Sequence, residues 1–307
     1  MRPPLISRRA FMSNSATPDT IFNNTLGEAF EALKLGANDL VTVRRVQRRA
    51  DELASIDAAG AWELRAYASA IKNAFDAADE MFACALRLQP GNLNIRVRWL
   101  AMLCVTGQVG KVKEKFIAFR PGLDGNFAAM GAVISLLGYV GLLHDAFQLR
   151  QRVAALGGNP GGHAFDGDFG IASAPEMVRE KMLATEDFPE PLPSSVYTFS
   201  AEDAEQVLAD QGLSVDAWSE PIGCAIRFLR QKRLKVVAVK SSFIPHDDRA
   251  TAMHFQLLIV ATPDICWEAE WEFCGVLVDR DFPIINSGTA TIAFIPTLRE
   301  APRANHS

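Results

Sequence analysis

A 34-residue recurrence in the first half of the chain limits its possible folds more than any other feature. Residues 61–88 read as two amphipathic helices joined by a short turn near Lys72 and Asn73, and Pro90-Gly91-Asn92 stops the second helix. A step of 34 carries Ala78 to Val112 and Ala146, Phe82 to Phe116, and Ala85 to Phe119 and Val153. Gly107-Gln108 and Gly141-Leu142 fall at the matching turns, where the first copy has Asn73. A helical hairpin of this size cannot bury its apolar face alone, so a fixed period of this kind predicts hairpins stacked on one another.

Within the first copy, Trp62, Ala66, Ala78, Phe82, Ala85 and Pro90 resemble the tetratricopeptide consensus. Ala66 and Ala78 let paired helices approach, Phe82 fills the gap between them, and Pro90 sets the turn. The later copies depart from the pattern. Phe119 replaces a small residue, Arg150 replaces the aromatic, and Pro121 closes the second copy early. The resemblance covers residues 59–156. It implies a mainly α-helical-repeat solenoid that binds a protein or peptide along a concave face lined by the first helix of each repeat. On this register the groove residues are Glu63, Tyr67 and Ile71, then Asn94, Val97, Arg98 and Ala101, then Ser135 and Tyr139. The carboxylate clamp that some members use for chaperone tails needs Lys and Asn in the first repeat and Lys and Arg in the third. Glu63, Tyr67, Ala128 and Ala132 stand there instead, so that binding mode is not carried over. Tyr67 and Tyr139 either line a mixed polar and aromatic groove or pack between repeats.

Residues 20–35 and 38–56 read as a further helix pair, with Asn38 or Asp39 as N-cap, that caps the array or is a divergent repeat. The helical array is expected over residues 19–187, with a loop at the glycine-rich stretch 157–162 and a short helix at 175–184. Phe188-Pro189-Glu190-Pro191-Leu192-Pro193 reads as a stiff linker over residues 188–196. An α+β domain is expected over 197–298, with disordered ends at 1–18 and 299–307. Two helices, 200–211 and 214–233, precede strand signals at 234–244, 252–262, 265–278 and 289–295, which predict an antiparallel sheet of about four strands curled over the helices. That element order is similar in outline to cystatin-like folds.

The formal net charge is −5, and its whole excess lies late: 21 basic and 21 acidic residues precede the Pro191 boundary, 10 and 15 follow it. Nothing in this balance points to nucleic acid. No run of some 18 apolar residues predicts a membrane span; residues 128–143 come closest, and glycines interrupt them. Arg8-Arg9 sits in a twin-arginine-like context, but polar residues follow where an apolar segment is required, so a leader or a start at Met12 is expected. Five cysteines, none in a CxxC pair, read as small hydrophobes in a reducing compartment, here the cytoplasm.

Two charged surfaces offer partner sites. Arg44, Arg45, Arg48 and Arg49 share one side of a helix, facing an acidic or phosphorylated partner, pairing with Asp51 and Glu52, or touching the acidic C-terminal domain. In Cys266-Trp267-Glu268-Ala269-Glu270-Trp271-Glu272-Phe273-Cys274, strand geometry puts Glu268, Glu270 and Glu272 on one face and the aromatics on the other. Those carboxylates would take a basic protein segment ahead of a metal, since only His246 and His254 are at hand as further ligands. No nucleophile elbow, phosphate-binding loop, dinucleotide fingerprint or zinc-protease motif occurs. His246 beside Asp247-Asp248, and His163 near Asp166 and Asp168, are isolated acid/base candidates. The expectation is a non-catalytic adaptor, regulator or dedicated chaperone without a cofactor, binding a protein by its groove and by a second surface on the C-terminal domain. The alternative is an enzyme or ligand sensor with a pocket in that domain lined by Phe255, Trp267 and Trp271.

Overall fold

The computed structural model describes residues 18–36, 39–158, 201–246 and 249–298. The expectations for residues 1–17, for the loop beyond Gly158, the 175–184 helix, the linker, His163, Asp166 and Asp168, and for the tail lie outside them. The chain is mainly helical. Helices α1 (Pro18–Lys34), α2 (Leu40–Leu53), α3 (Ala58–Ile71), α4 (Phe75–Leu88), α5 (Leu93–Val105), α6 (Val109–Phe119), α7 (Phe127–Tyr139) and α8 (Leu143–Ala155) pair in sequence as four hairpins. No described helix is long and apolar enough to cross a membrane.

The 34-residue step reappears in the backbone. Asn73, Gly107 and Gly141 all have positive φ, at 59°, 69° and 77°. In each turn the next amide donates back to a helix carbonyl: Ala74 to Ser69, Gln108 to Leu103 and Leu142 to Leu137. Each helix is thus closed by a left-handed residue that satisfies its orphan carbonyls. Helices α5 and α7, which open the next hairpins, start on side-chain caps, with Asn92 accepting from the Asn94 amide and Asn126 from the Ala129 amide. Asp39, one of the two expected caps, accepts from the Val41 amide at the start of α2. Ala78, Val112 and Ala146 are all buried, as are Phe82 and Phe116, whereas Arg150 is exposed. Ring contacts run through the hairpins from Phe30 to Tyr67, Phe82, Trp99 and Phe119, at 5.4–6.2 Å between neighbouring centroids. Such contacts add roughly 0.5–1.5 kcal/mol each beyond their burial.

The C-terminal part comprises α9 (Ala201–Asp210), α10 (Ser219–Gln231), β1 (Val236–His246), β2 (Arg249–Ile259), α11 (Pro263–Arg280), the single turn α12 (Pro283–Asn286) and β3 (Ala290–Pro296). Among the described residues the sheet has three strands in the order β1-β2-β3, where about four were expected, and it is mixed. β1 and β2 pair antiparallel, with Val239 opposite Leu257. β2 and β3 pair parallel, with Phe255 opposite Ile292. The third expected strand, 265–278, is helix α11, which explains both differences: a helical crossover returns the chain parallel to the strand it left. Pro263 at the helix start, Asp264 in the first turn and Arg280 in the last are ordinary helix signals. Cys266, Ala269 and Phe273 are buried at spacings of three and four, the helical period.

Helix α10 joins the two parts. It lies along the row of hairpin turns, so its backbone comes against three of their glycines and Arg230 stacks over Phe75 beside the remaining turn. A Cβ on Gly107 would stand 2.6 Å from the Gly223 carbonyl, and one on Gly141 would stand 2.5 Å from Ile222. Gly36 abuts the Arg230 backbone in the same way. Arg227 donates to the Gly107 carbonyl, and Arg230 Nε donates to the Leu33 carbonyl at 3.0 Å, so two arginines close the ends of α5 and α1. Lys113 pairs with Asp216 and Lys235 with Glu31. β1 rests on α7, and α9 on α8 and β2.

Gly107→Ala should therefore cost more than left-handed strain alone. Gly125 has φ of 85° with nothing within 4 Å of an added Cβ, so Gly125→Ala should lose about 1 kcal/mol. Gly107→Ala should lose roughly 1–3 kcal/mol beyond that, because it overpacks the α10 seam. Urea unfolding midpoints of the two variants check the difference; equal losses would mean that α10 does not sit on the turns.

Candidate interaction surfaces

The groove residues expected from the repeat register fall into two sets. Glu63, Tyr67, Val97 and Arg98 are buried, while Asn94, Ser135 and Tyr139 are half-buried. Glu63 accepts two hydrogen bonds from Arg98, at 2.7 and 2.8 Å, and the Tyr67 hydroxyl donates to the Arg98 carbonyl at 3.2 Å. The Arg98 guanidinium also sits 5.2 Å from the Phe22 ring centroid, so α1 covers the faces of α3 and α5 that the register turns toward a partner. Burial pulls the Glu63 carboxyl above its ordinary pKa, and the Arg98 guanidinium pulls the other way. These four side chains hold three helices together from the inside. Ser135 donates to the Gly131 carbonyl of its own helix. Tyr139 packs on the core near Arg230, and burial raises its hydroxyl pKa.

The basic cluster on α2 is solvated and paired close by. Arg45 meets Glu28 at 3.0 Å, while Arg48 and Arg49 share Glu52 at 3.7 and 2.7 Å. Asp51 pairs with Arg65 on α3 instead. Among the described residues no acidic side chain of the C-terminal part reaches this cluster; Asp216, Glu220 and Glu272 pair with Lys113, Arg227 and Lys232. Arg44 is exposed. Exposed pairs of this type contribute about 0–1 kcal/mol each.

The acidic strand face does not exist, because residues 263–280 are helical and residues two apart point about 200° away from each other. Glu268 points to solvent. Glu270 accepts the Phe294 amide of β3 at 2.7 Å. Glu272 pairs with Lys232. The rings separate as well. Phe255 is buried on Trp218, whereas Trp267 and Trp271 are 78% and 75% exposed, so the three do not line one pocket. Helix α11 is instead apolar on two sides. Its inner side places Phe273 between Phe228 of α10 and Phe294 of β3, each 5.3 Å away between centroids. Its outer side carries Trp267, Trp271, Cys274 and Val278, all exposed. Cys274 and Val278 were not singled out by the sequence reading. The spacing of four, three and four residues from Trp267 was the signal for them, masked by the short alternation over residues 267–273.

His254 Nδ1 lies 2.8 Å from the Thr291 hydroxyl across the β2–β3 pair. Among the described residues no three His, Cys, Asp or Glu side chains are grouped to hold a metal.

The buried pair generates a direct prediction. Glu63→Leu should cost about 3–5 kcal/mol by stranding the Arg98 charge. Glu63→Leu with Arg98→Met should return to within about 1 kcal/mol of the parent, since neither charge is then buried. Chemical unfolding of the two variants measures both; a double variant as damaged as the single one would contradict the assignment.

No protein-family model matches this chain, and neither does any curated protein or solved structure.

Proposed function

We propose that this chain is a non-catalytic protein-binding adaptor or regulator. In this reading a tetratricopeptide-like array of α3–α8, extended by the α1–α2 hairpin, serves as the frame, and the C-terminal α+β part carries the partner surface. The observation that carries the reading is the outer face of α11, where two tryptophans stand about three-quarters exposed on a helix whose other side is firmly packed. Solvent-exposed aromatic faces of this kind mark association sites. Support for the frame comes from the 34-residue recurrence of left-handed turns, back-bonds and core positions.

The reading departs from a simple groove binder in one respect. The inner faces of α3 and α5 are occupied by α1, and the hairpin turns are occupied by α10, so the array holds its own chain. Its partner is a protein or peptide, and its compartment is the cytoplasm, in keeping with five free thiols.

Affinity purification of the tagged full-length chain at moderate salt, with densitometry and mass spectrometry of what co-elutes, tests the proposal. One protein recovered near one-to-one is the expected result. Recovery of no stoichiometric protein would overturn it.

A further inference from the structure

We infer that the outer face of α11 docks a basic amphipathic helix, whose apolar seam lies on Trp267, Trp271, Cys274 and Val278 and whose lysines or arginines lie on the acidic band beside them. The inference rests on the protein-binding reading and names the partner's chemistry.

The geometry follows from the helical period. Residues separated by four, three and four positions form a straight seam along a helix, the pattern that receives knobs from a second helix. A strand or an irregular loop would not match that seam over about three turns, whereas a helix would. Helix α11 is already anchored on its far side by Cys266, Ala269 and Phe273, so the seam is presented on a rigid element.

Charge selects among helical partners. Asp264, Glu268 and Asp279 lie on one flank of the seam, all exposed, and none forms an ion pair among the described residues. Glu272 lies next to them and is taken by Lys232. A basic flank on the partner answers this band, and a cation over an exposed Trp ring adds roughly 0.5–1 kcal/mol. A second copy of this chain answers it badly. Antiparallel nesting of Trp267 on Val278 sets Glu268 near the other copy's Asp279, and parallel pairing sets each acidic flank against the opposite flank of the other copy, at Pro263, Glu270 and Leu277, where no cation stands. Neither direction gives the acidic band a cation, and the antiparallel one sets like charges together.

The test uses the full chain and three labelled synthetic peptides, each three heptads long. The first has leucine at the seam positions and lysine on the flanks. The second has glutamate in place of lysine. The third has the composition of the first with its leucines out of register. Fluorescence anisotropy should show saturable one-to-one binding of the first peptide and at least tenfold weaker binding of the other two. Trp267→Ala with Trp271→Ala, and Glu268→Lys with Asp279→Lys, should each weaken the first peptide at least tenfold. Their thermal unfolding should be unchanged, because all four side chains are exposed. Equal binding of all three peptides, no binding of the first, or unaltered binding by the variants would overturn the inference. So would a dimer in sedimentation velocity that the tryptophan variant dissociates, since the second copy would then be the occupant. The same tryptophan variant separates this inference from the broader one. If it still recovers the wild-type chain's stoichiometric partner from cells, the α11 assignment falls and the protein-binding reading stands.

Discussion

The structure depends on the close approach between α10 and the turns of the helical hairpins. At Gly107 and Gly223 two chain segments meet with no side chain between them. Left-handed turn residues make this possible, because they close each first helix while leaving its end bare. A single helix can then touch the ends of several hairpins at once. Beside that contact, β1 meets α7, and α9 meets α8 and β2. With it, the hairpins and the C-terminal elements share one continuous core.

The seam holds charge as well as apolar surface. Arg230 is almost fully buried, and burial pulls its pKa down to about 10, still well above neutrality, so it stays charged. It is held by the Leu33 carbonyl at the end of α1 and by the Phe75 ring. A cation at a helix C-terminus meets both an unsatisfied carbonyl and the negative end of the helix dipole. Arg227 donates just beyond the end of α5, to the carbonyl of the left-handed Gly107. These contacts give α10 a register along the turns, which apolar packing alone specifies weakly. The placement of α11 follows from that of α10: Phe228 fixes Phe273 and Phe294, and the tryptophan seam is what remains outside.

Much of the helical part was legible in the residues. The period placed the turns at Asn73, Gly107 and Gly141, Pro90-Gly91-Asn92 placed the end of α4, and Asp39 was one of two expected caps for α2. The cores at Ala78, Val112 and Phe116 followed from the same spacing. The burial of Glu63, Tyr67 and Arg98 was not legible. Residues 31 and 35 apart in sequence made one network, and the covering helix α1 belongs to a pair that lacks the consensus residues. The error in the C-terminal part has a definite cause. Over residues 267–273 alternation of Trp, Glu, Ala and Phe imitates a half-buried strand. The true period shows only over all 18 residues of α11, where two apolar stripes on different sides of the helix blur any single face. The exposed Trp267 and Trp271, read as one strand face together with the buried Phe273, were what misled. An apolar stripe facing solvent is the pattern expected of a surface shaped by a partner rather than by folding.

The central claim is that α10 locks the hairpins and the C-terminal elements into one cooperative body. Native-state hydrogen exchange across a series of low denaturant concentrations measures this directly. The account predicts that the amides of α10 exchange only through global unfolding, with the same opening free energy as those of α5. Exchange of α10 through an opening several kcal/mol cheaper, while α3–α8 stay protected, would show that the array stands without it and would contradict the account.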